Sequence, residues 1–305
     1  MKRELITLEH WSAHDIYQVL ELALALKSQP EKYNQILQGK SVVGLFEKPS
    51  LRTRVSFDVG IHKLGGHFLY LDCQQGKLSG RETWTDTGAN LGCWADAIVA
   101  RVFEHDTLQA LSAGTRKPVV NALCDVYHPC QALADYLTLK EVYGDLAQVR
   151  LGYFGEGNNV AHSLMIAGAK LGAQVYVITP PGYEPDSNIT RRCADVAATS
   201  GGKIVVSNEL AAAPSLDVLY TDTWISMGSD QELSDIQDVF HPYQLNETLL
   251  EQTGASHVMH CQPAHRDVEI SAALMDSDAS LLLQQAENRM HAQNALLAKL
   301  LSKEF

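Results

Sequence analysis

Near the start of the chain, apolar residues recur at three- and four-residue steps: Ile16, Val19, Leu20, Ala23 and Leu26. That spacing predicts an amphipathic helix over 13–28. Short apolar runs follow and predict strands: "SVVGLFEK" (41–48), "HFLYLD" (67–72), "DAIVAR" (96–101) and "PVVNAL" (118–123). Between them, "TRVSFDVGIHKLG" (53–65) predicts a helix closed by Gly65 and Gly66, because glycine accepts the left-handed conformation at a helix end. "TWTDTGANLGCWA" (83–95) and "HPCQALADYLTLKEVYG" (128–144) predict two more helices. A second series begins near residue 150. "VRLGYFGEG" (149–157), "AQVYVITP" (173–180), "LDVLYTDTW" (216–224) and "SHVMHCQP" (256–263) are strand-like. "NNVAHSLMIAGAKLG" (158–172) is helical, and "QAENRMHAQNALLAKLLSK" makes a long terminal helix.

Strands alternating with helices imply parallel sheets covered on both faces. Two such series in 305 residues predict an α/β protein of two domains, each a parallel sheet flanked by helices. Open parallel sheets bind ligands at the carboxyl ends of their strands. The unusual polar clusters fall there: residues 50–54, Arg101, His128 with Gln131, Asn158 with Asn159, Asp222, and Cys261. One shared site is the expectation.

Composition narrows the ligand. A formal net charge of −12 disfavours a polyphosphate backbone, so nucleic acid is not expected as a partner. A few arginines in a recess can still hold a small anion. The six cysteines form no C-x-x-C pair and suggest neither a zinc site nor a disulfide framework. Free thiols, an opening stretch without the features of a signal peptide, and no run near the roughly 18 apolar residues of a membrane span together predict a soluble cytoplasmic protein.

Each cluster admits a chemical and a plain structural reading. At Ser50, Leu51, Arg52, Thr53 and Arg54 a helix N-terminus offers unpaired N–H groups, two hydroxyls and guanidinium groups, which suits a phosphate; a serine cap with solvated arginines is the alternative. Arg101 ends an apolar strand and His128 opens a helix, and both can donate to a carbonyl oxygen gaining charge. Gln131 lies one turn along. "GEGNNVAHS" breaks the G-x-G-x-x-G dinucleotide pattern at Val160, which weakens an NAD reading. Its paired asparagines suit a ligand bearing both ammonium and carboxylate, although one of them can serve as a helix cap. Asp222 in "TDTWISMG" can hold a cationic group or merely cap a helix. Cys261 can be a nucleophile, a proton relay or an inert thiol.

Taken together, "FEKPSLRTRVSF", "DAIVAR", "DVYHPCQALADYLT", "GEGNNVAHSLM", "DTWISMG", "YQLNETLL", "HCQPAHR" and "QAENRMHAQNALL" resemble the aspartate/ornithine carbamoyltransferase family, and within it the ornithine branch. The resemblance implies carbamoyl transfer from carbamoyl phosphate to the δ-amine of ornithine in arginine metabolism. It implies a first domain for carbamoyl phosphate (1–140), to which the C-terminal helix (286–305) returns, a second for the amino acid (141–285), and trimers or assemblies of trimers with active sites at subunit boundaries. Ser50, Leu51, Arg52 and Thr53 would hold the phosphate. Arg101, His128 and Gln131 would contact the carbamoyl group and its phosphate, joined by Arg289. Asn159, Asp222, Ser226 and Met227 would bind ornithine, and Cys261 with Gln262 would contact both substrates. The catalytic set implied is Arg101, His128 and Cys261. No metal or organic cofactor is called for.

Some positions depart from the family pattern. Leu51 replaces a frequent threonine, Glu156 a usual aspartate, and Gln262 the leucine of "HCLP". Lys77 falls where many members carry a glutamine that reaches a neighbouring subunit's phosphate. "RDVEI" (266–270) leans toward the aspartate branch. An aspartate substrate would need cations for its second carboxylate, whereas "DTWISMG" supplies an acid; an acylated ornithine would lack the α-ammonium for that acid. A non-catalytic homologue is the rival from another class, and the joint presence of Arg52, Arg101, His128, Asp222 and Cys261 opposes it.

Overall fold

The computed structural model describes residues 4–73, 82–213, 215–225 and 232–302. The chain divides into two compact units, one of Met1–Leu137 with Asn288–Phe305, the other Thr138–Glu287.

In the first unit, helices α1 (Ala13–Ser28) and α2 (Pro30–Tyr33) precede β1 (Ser41–Phe46), α3 (Leu51–Lys63), β2 (His67–Asp72), α4 (Trp84–Trp94), β3 (Ala97–Arg101), α5 (His105–Gly114), β4 (Val119–Leu123) and α6 (Pro129–Tyr143), the last running on into the second unit. All five predicted positions on α1 are buried. Its start is fixed by a capping box in which the Asp15 N–H donates to Ser12 Oγ at 3.1 Å and Asp15 in turn accepts from the Ser12 backbone. The sheet is parallel in the order β2-β1-β3-β4. Its central strands β1 and β3 are apolar and buried, as strands covered on both faces must be, while edge strand β2 exposes alternate residues. The chain leaves β1 for β2 on one side and later returns to β3 on the other, so the order reverses between β1 and β3.

The second unit carries β5 (Arg150–Phe154), α7 (Asn159–Leu171), β6 (Gln174–Ile178), α8 (Ser187–Ser200), β7 (Lys203–Ser207), β8 (Val218–Thr221), α9 (Leu233–Phe240), α10 (Glu247–Thr253), β9 (His257–His260) and α11 (Ala272–Met275). Its parallel sheet is ordered β7-β6-β5-β8-β9 and reverses between β5 and β8. Helix α7 is almost wholly buried and closes on Gly172 at φ +79°. At the strand starts, Arg150 grips Asp217 through Nε at 3.1 Å and Nη2 at 2.8 Å. The last helix, α12 (Leu282–Leu301), passes from the second unit into the first. There Ala292, Ala295, Leu296 and Leu297 are fully buried, and Asn288 Oδ1 accepts from Lys27 Nζ at 2.9 Å. The predicted class, two parallel-sheet domains and a returning helix, is what the chain forms.

Helices α5, α8, α9 and α10 and strand β7 escaped the apolar pattern. Helix α8 shows why: only Ile189, Cys193 and Ala197 are buried, a stripe one residue wide in a polar segment. Helices α4 and α5 meet where neither has a side chain. A Cβ on Gly88 would lie 2.3 Å from the Leu111 carbonyl oxygen, and one on Gly114 would lie 1.9 Å from that of Thr85. Backbone cannot yield as a side chain does. Gly114→Ala is therefore expected to cost about 1–3 kcal/mol or more in urea unfolding, and an unchanged midpoint would show that the two helices can part freely.

Candidate functional site

The first group of polar residues gathers where the first sheet reverses. Ser50 is the N-cap of α3: its Oγ accepts the Thr53 N–H at 3.2 Å and its hydroxyl donates to Thr53 Oγ1 at 2.9 Å. Arg101 ends the neighbouring strand β3 and is 3% exposed. A register shift between Ala100 and Arg101 re-aims that strand end. The carboxyl ends of β1 and β3 are tied by the Glu47 N–H donating to the Arg101 carbonyl at 2.9 Å and by the Phe103 N–H donating to Glu47 Oε2 at 3.0 Å.

His128 stands before α6 and Gln131 in its first turn, and both are buried. Arg289, from α12, is buried against them. It donates from Nη1 to Gln131 Oε1, and from Nη2 to Thr53 Oγ1 at 3.3 Å and to His128 Nε2 at 3.4 Å. Ser50, Thr53, Arg289, His128 and Gln131 thus form one hydrogen-bonded set drawn from three helices. Leu51 and Arg52 start α3 on the exposed side, and the Arg54 guanidinium lies 4.1 Å from the centre of the Tyr70 ring.

Burial first, then the Arg289 and Arg101 guanidiniums, hold His128 well below its ordinary range, so it is a neutral imidazole. Burial and Arg101 also lower Lys48. The two guanidiniums that add to the effect of burial on His128 put positive charge at this place, which suits an anion.

The second group lies at the reversal of the second sheet. Asn158 caps α7, its Oδ1 accepting the Val160 N–H at 2.9 Å, and its Nδ2 donates to Asp222 Oδ2 at 3.0 Å. Asp222 follows β8 and accepts the Cys261 thiol on Oδ1 at 2.8 Å. Cys261 follows β9. The carboxyl ends of three adjacent strands, β5, β8 and β9, are thereby laced through one carboxylate. Behind Cys261, His260 Nδ1 accepts the Gln262 N–H at 2.8 Å, which leaves the proton on Nε2, 3.1 Å from the fully buried Glu269. Glu269 also accepts the His265 N–H at 2.5 Å and holds the loop's other end. Gln262 takes φ +60° within this loop. Asp222, His260 and Cys261 offer ligand atoms within 4.8 Å of one another. Asp222 is hydrogen-bonded to Asn158 and Cys261, and the two His260 nitrogens to Gln262 and Glu269.

Of the predicted residues, Ser50, Thr53, Arg101, His128, Gln131 and Arg289 come together in the first unit, and Asp222 and Cys261 in the second. Asn159 sits at the first position of α7, but the residue on Asp222 is Asn158, half of the same pair. Its signal was available, since the residue just before a helix is the one whose side chain caps it. Lys77, Ser226 and Met227 lie outside the described residues. Sequence reasoning missed His260 and Glu269, whose pairing across the loop no spacing rule announces.

The match to known proteins is as extended as the geometry. Residues 3–141 match the carbamoyl-P binding domain of the aspartate/ornithine carbamoyltransferases, and residues 147–300 match the Asp/Orn binding domain. The chain belongs to the aspartate/ornithine carbamoyltransferase family. It is 54% identical over 297 residues to the ornithine carbamoyltransferase of Vibrio sp. (strain 2693), covering 97% of this chain and 99% of that one. It is 51% identical over 300 residues to that of Shewanella oneidensis, covering 98% and 100%. The solved ornithine carbamoyltransferase of Pyrococcus furiosus superposes with a TM-score of 0.94 at 44% identity, covering 98% of this chain and 97% of that one.

Because His128 stays neutral when folded, an unfolded chain binds a proton below pH 6.5 that the native protein does not. Native stability is thus insensitive to this group above 6.5 and falls as pH drops below it, by up to about 1.4 kcal/mol per pH unit. Urea unfolding at pH 7.5 and 5.5 is expected to show a smaller loss for His128→Asn than for the native chain. Equal losses would mean that His128 is protonated in the folded state.

Proposed function

We propose that this protein transfers the carbamoyl group of carbamoyl phosphate to the δ-amine of L-ornithine, giving L-citrulline and phosphate. The observation that carries the reading is the buried cationic set around Arg289, joined to the N-terminus of α3 through Thr53. The names of the relatives support the choice of ornithine.

In this reading the first unit holds carbamoyl phosphate. The N–H groups opening α3, the hydroxyls of Ser50 and Thr53, and Arg52 take the phosphate oxygens. Lys77 belongs to the same role by its place in the family pattern. Arg289 exchanges its bonds to Thr53 and His128 for bonds to the anion. Arg101 and His128 donate to the carbamoyl oxygen as it gains charge, a contribution of about 2.7–4 kcal/mol per donor in comparable sites. Gln131 meets the carbamoyl group through its amide.

The second unit holds ornithine. Asp222 receives the α-ammonium, and Asn158, which already donates to Asp222, orients that carboxylate. Asn159, Ser226 and Met227 take the remaining amino-acid contacts. Cys261, bonded to Asp222, faces the side-chain amine with Gln262, and the His260–Glu269 pair fixes the loop that presents it. The neutral δ-amine attacks the carbamoyl carbon, the C–O bond to phosphate breaks, and the amine proton leaves to solvent or to the departing phosphate. Positioning supplies much of the acceleration, since both reactants are small.

A homotrimer in the cytoplasm completes the proposal. Leu51, Val55 and Val59 form an apolar row on α3, 76%, 50% and 41% exposed, and Leu69 of edge strand β2 is 48% exposed. A second copy of the chain would cover that row. The six free cysteines suit a reducing compartment, and among the described residues no helix is long and apolar enough to cross a membrane.

Ornithine with carbamoyl phosphate is expected to yield citrulline and phosphate, while aspartate and N-acetylornithine yield no carbamoyl product; carbamoylaspartate as the main product would overturn the reading. Asp222→Asn should lower kcat/KM for ornithine on the order of 10²-fold through loss of one buried charge partner. For the assembly, Val59→Glu should convert the native species to monomer in sedimentation velocity, and an unchanged sedimentation coefficient would place the contact elsewhere.

A further inference from the structure

The mechanism above uses Gln131 but leaves a buried charge beside it unexplained. Asp135 is 0% exposed on α6, one turn beyond Gln131 and on the same face. Gln131 Nε2 donates to Asp135 Oδ1 at 2.7 Å, and Gln131 Oε1 accepts from Arg289 Nη1. A carboxylate only accepts and a guanidinium only donates. Turning the amide over would set oxygen against carboxylate and NH₂ against guanidinium, so two attractions would become two repulsions. The neighbours therefore dictate which end of the amide is which.

We propose that Asp135 is a positioning residue that locks Gln131 with its carbonyl oxygen toward the Arg289 set, making it the acceptor for the NH₂ group of carbamoyl phosphate. This deepens the role given to Gln131 above and rests on it. Carbamoyl phosphate differs from other acyl phosphates in that NH₂. Its carbonyl and phosphate oxygens call for donors, which Arg101, His128 and Arg289 provide in abundance. The NH₂ calls for an acceptor, and an unlocked amide would offer it a second NH₂ for much of the time. Asp135 thus acts on the choice between a carbamoyl and an acetyl group without touching either.

The test compares Asp135→Asn, Gln131→Ala and the double variant in the intact chain. Readouts are kcat, KM for carbamoyl phosphate, and competitive inhibition by inorganic phosphate and by acetyl phosphate. Asparagine can face Gln131 with either end, so the lock is lost while the volume is kept. Asp135→Asn is expected to raise KM for carbamoyl phosphate about tenfold with kcat changed much less, as for a contact made equally in ground and transition states. The inhibition constants for phosphate and acetyl phosphate, which lack the NH₂, should stay within about twofold of native. In the Gln131→Ala background Asp135→Asn should add nothing to KM, because the effect assigned to Asp135 on the substrate runs through that amide. A KM unchanged by Asp135→Asn, a further rise in the double variant, or an equal weakening of phosphate would overturn the proposal. A KM unchanged in Gln131→Ala alone would instead remove the role of Gln131, and the proposal with it. Asp135→Ser carries the same comparison should the asparagine variant not fold; loss of folding in both, with Gln131→Ala folded, would make Asp135 a structural residue only.

Discussion

The constraint on which the first unit turns is the burial of two guanidiniums, Arg101 and Arg289, beside an imidazole kept neutral first by its own burial and then by those two cations. Removing an ion from water costs several kcal/mol even after relaxation. A fold accepts that cost only where partners are arranged in advance. For Arg289 the partners are Gln131, Thr53 and His128, each from an element fixed by other packing. Such an arrangement keeps positive potential at one place and needs little reorganisation to meet an anion. The carboxylate behind Gln131 then decides how that set presents its amide.

The sheets explain why the polar residues meet at all. In each unit the strand order reverses once, and at the reversal neighbouring strands send their following loops to opposite faces. In the first unit the pair is β1 and β3, whose ends carry Ser50 and Arg101. In the second it is β5 and β8, whose ends carry Asn158 and Asp222, with Cys261 on the adjoining strand. Residues distant in sequence become neighbours because of that topology, and the helices that follow each strand point their N-termini the same way.

Much of this was legible in the chain. Central strands such as β1 and β3 are continuous apolar runs because both faces are covered, and amphipathic α1 buries the positions its spacing marked. Two weakly buried elements were not legible. Helix α8 buries a single stripe, and β7 is a half-buried edge strand, so neither leaves a strong period. At the site, residues that cap helices or end strands declared themselves through position: Ser50, Arg101, Asp222 and Cys261. Arg289 was reached only through the family resemblance, since nothing in a helix interior marks an arginine as buried. The bond from Asn158 to Asp222 was not foreseen, because the sequence does not say which of the two asparagines caps the helix. His260, Glu269 and Asp135 act on other residues rather than on a strand end, and contacts of that kind exist only once the fold brings them together.

The central claim is that the Arg289 set at the N-terminus of α3 is the anion wall. A crystal structure of the protein with inorganic phosphate tests it most directly. The account places phosphate against the first N–H groups of α3, within hydrogen-bond distance of Ser50 and Thr53, with the Arg289 guanidinium drawn onto its oxygens. Phosphate bound elsewhere, with Arg289 still on Thr53 and His128, would contradict it.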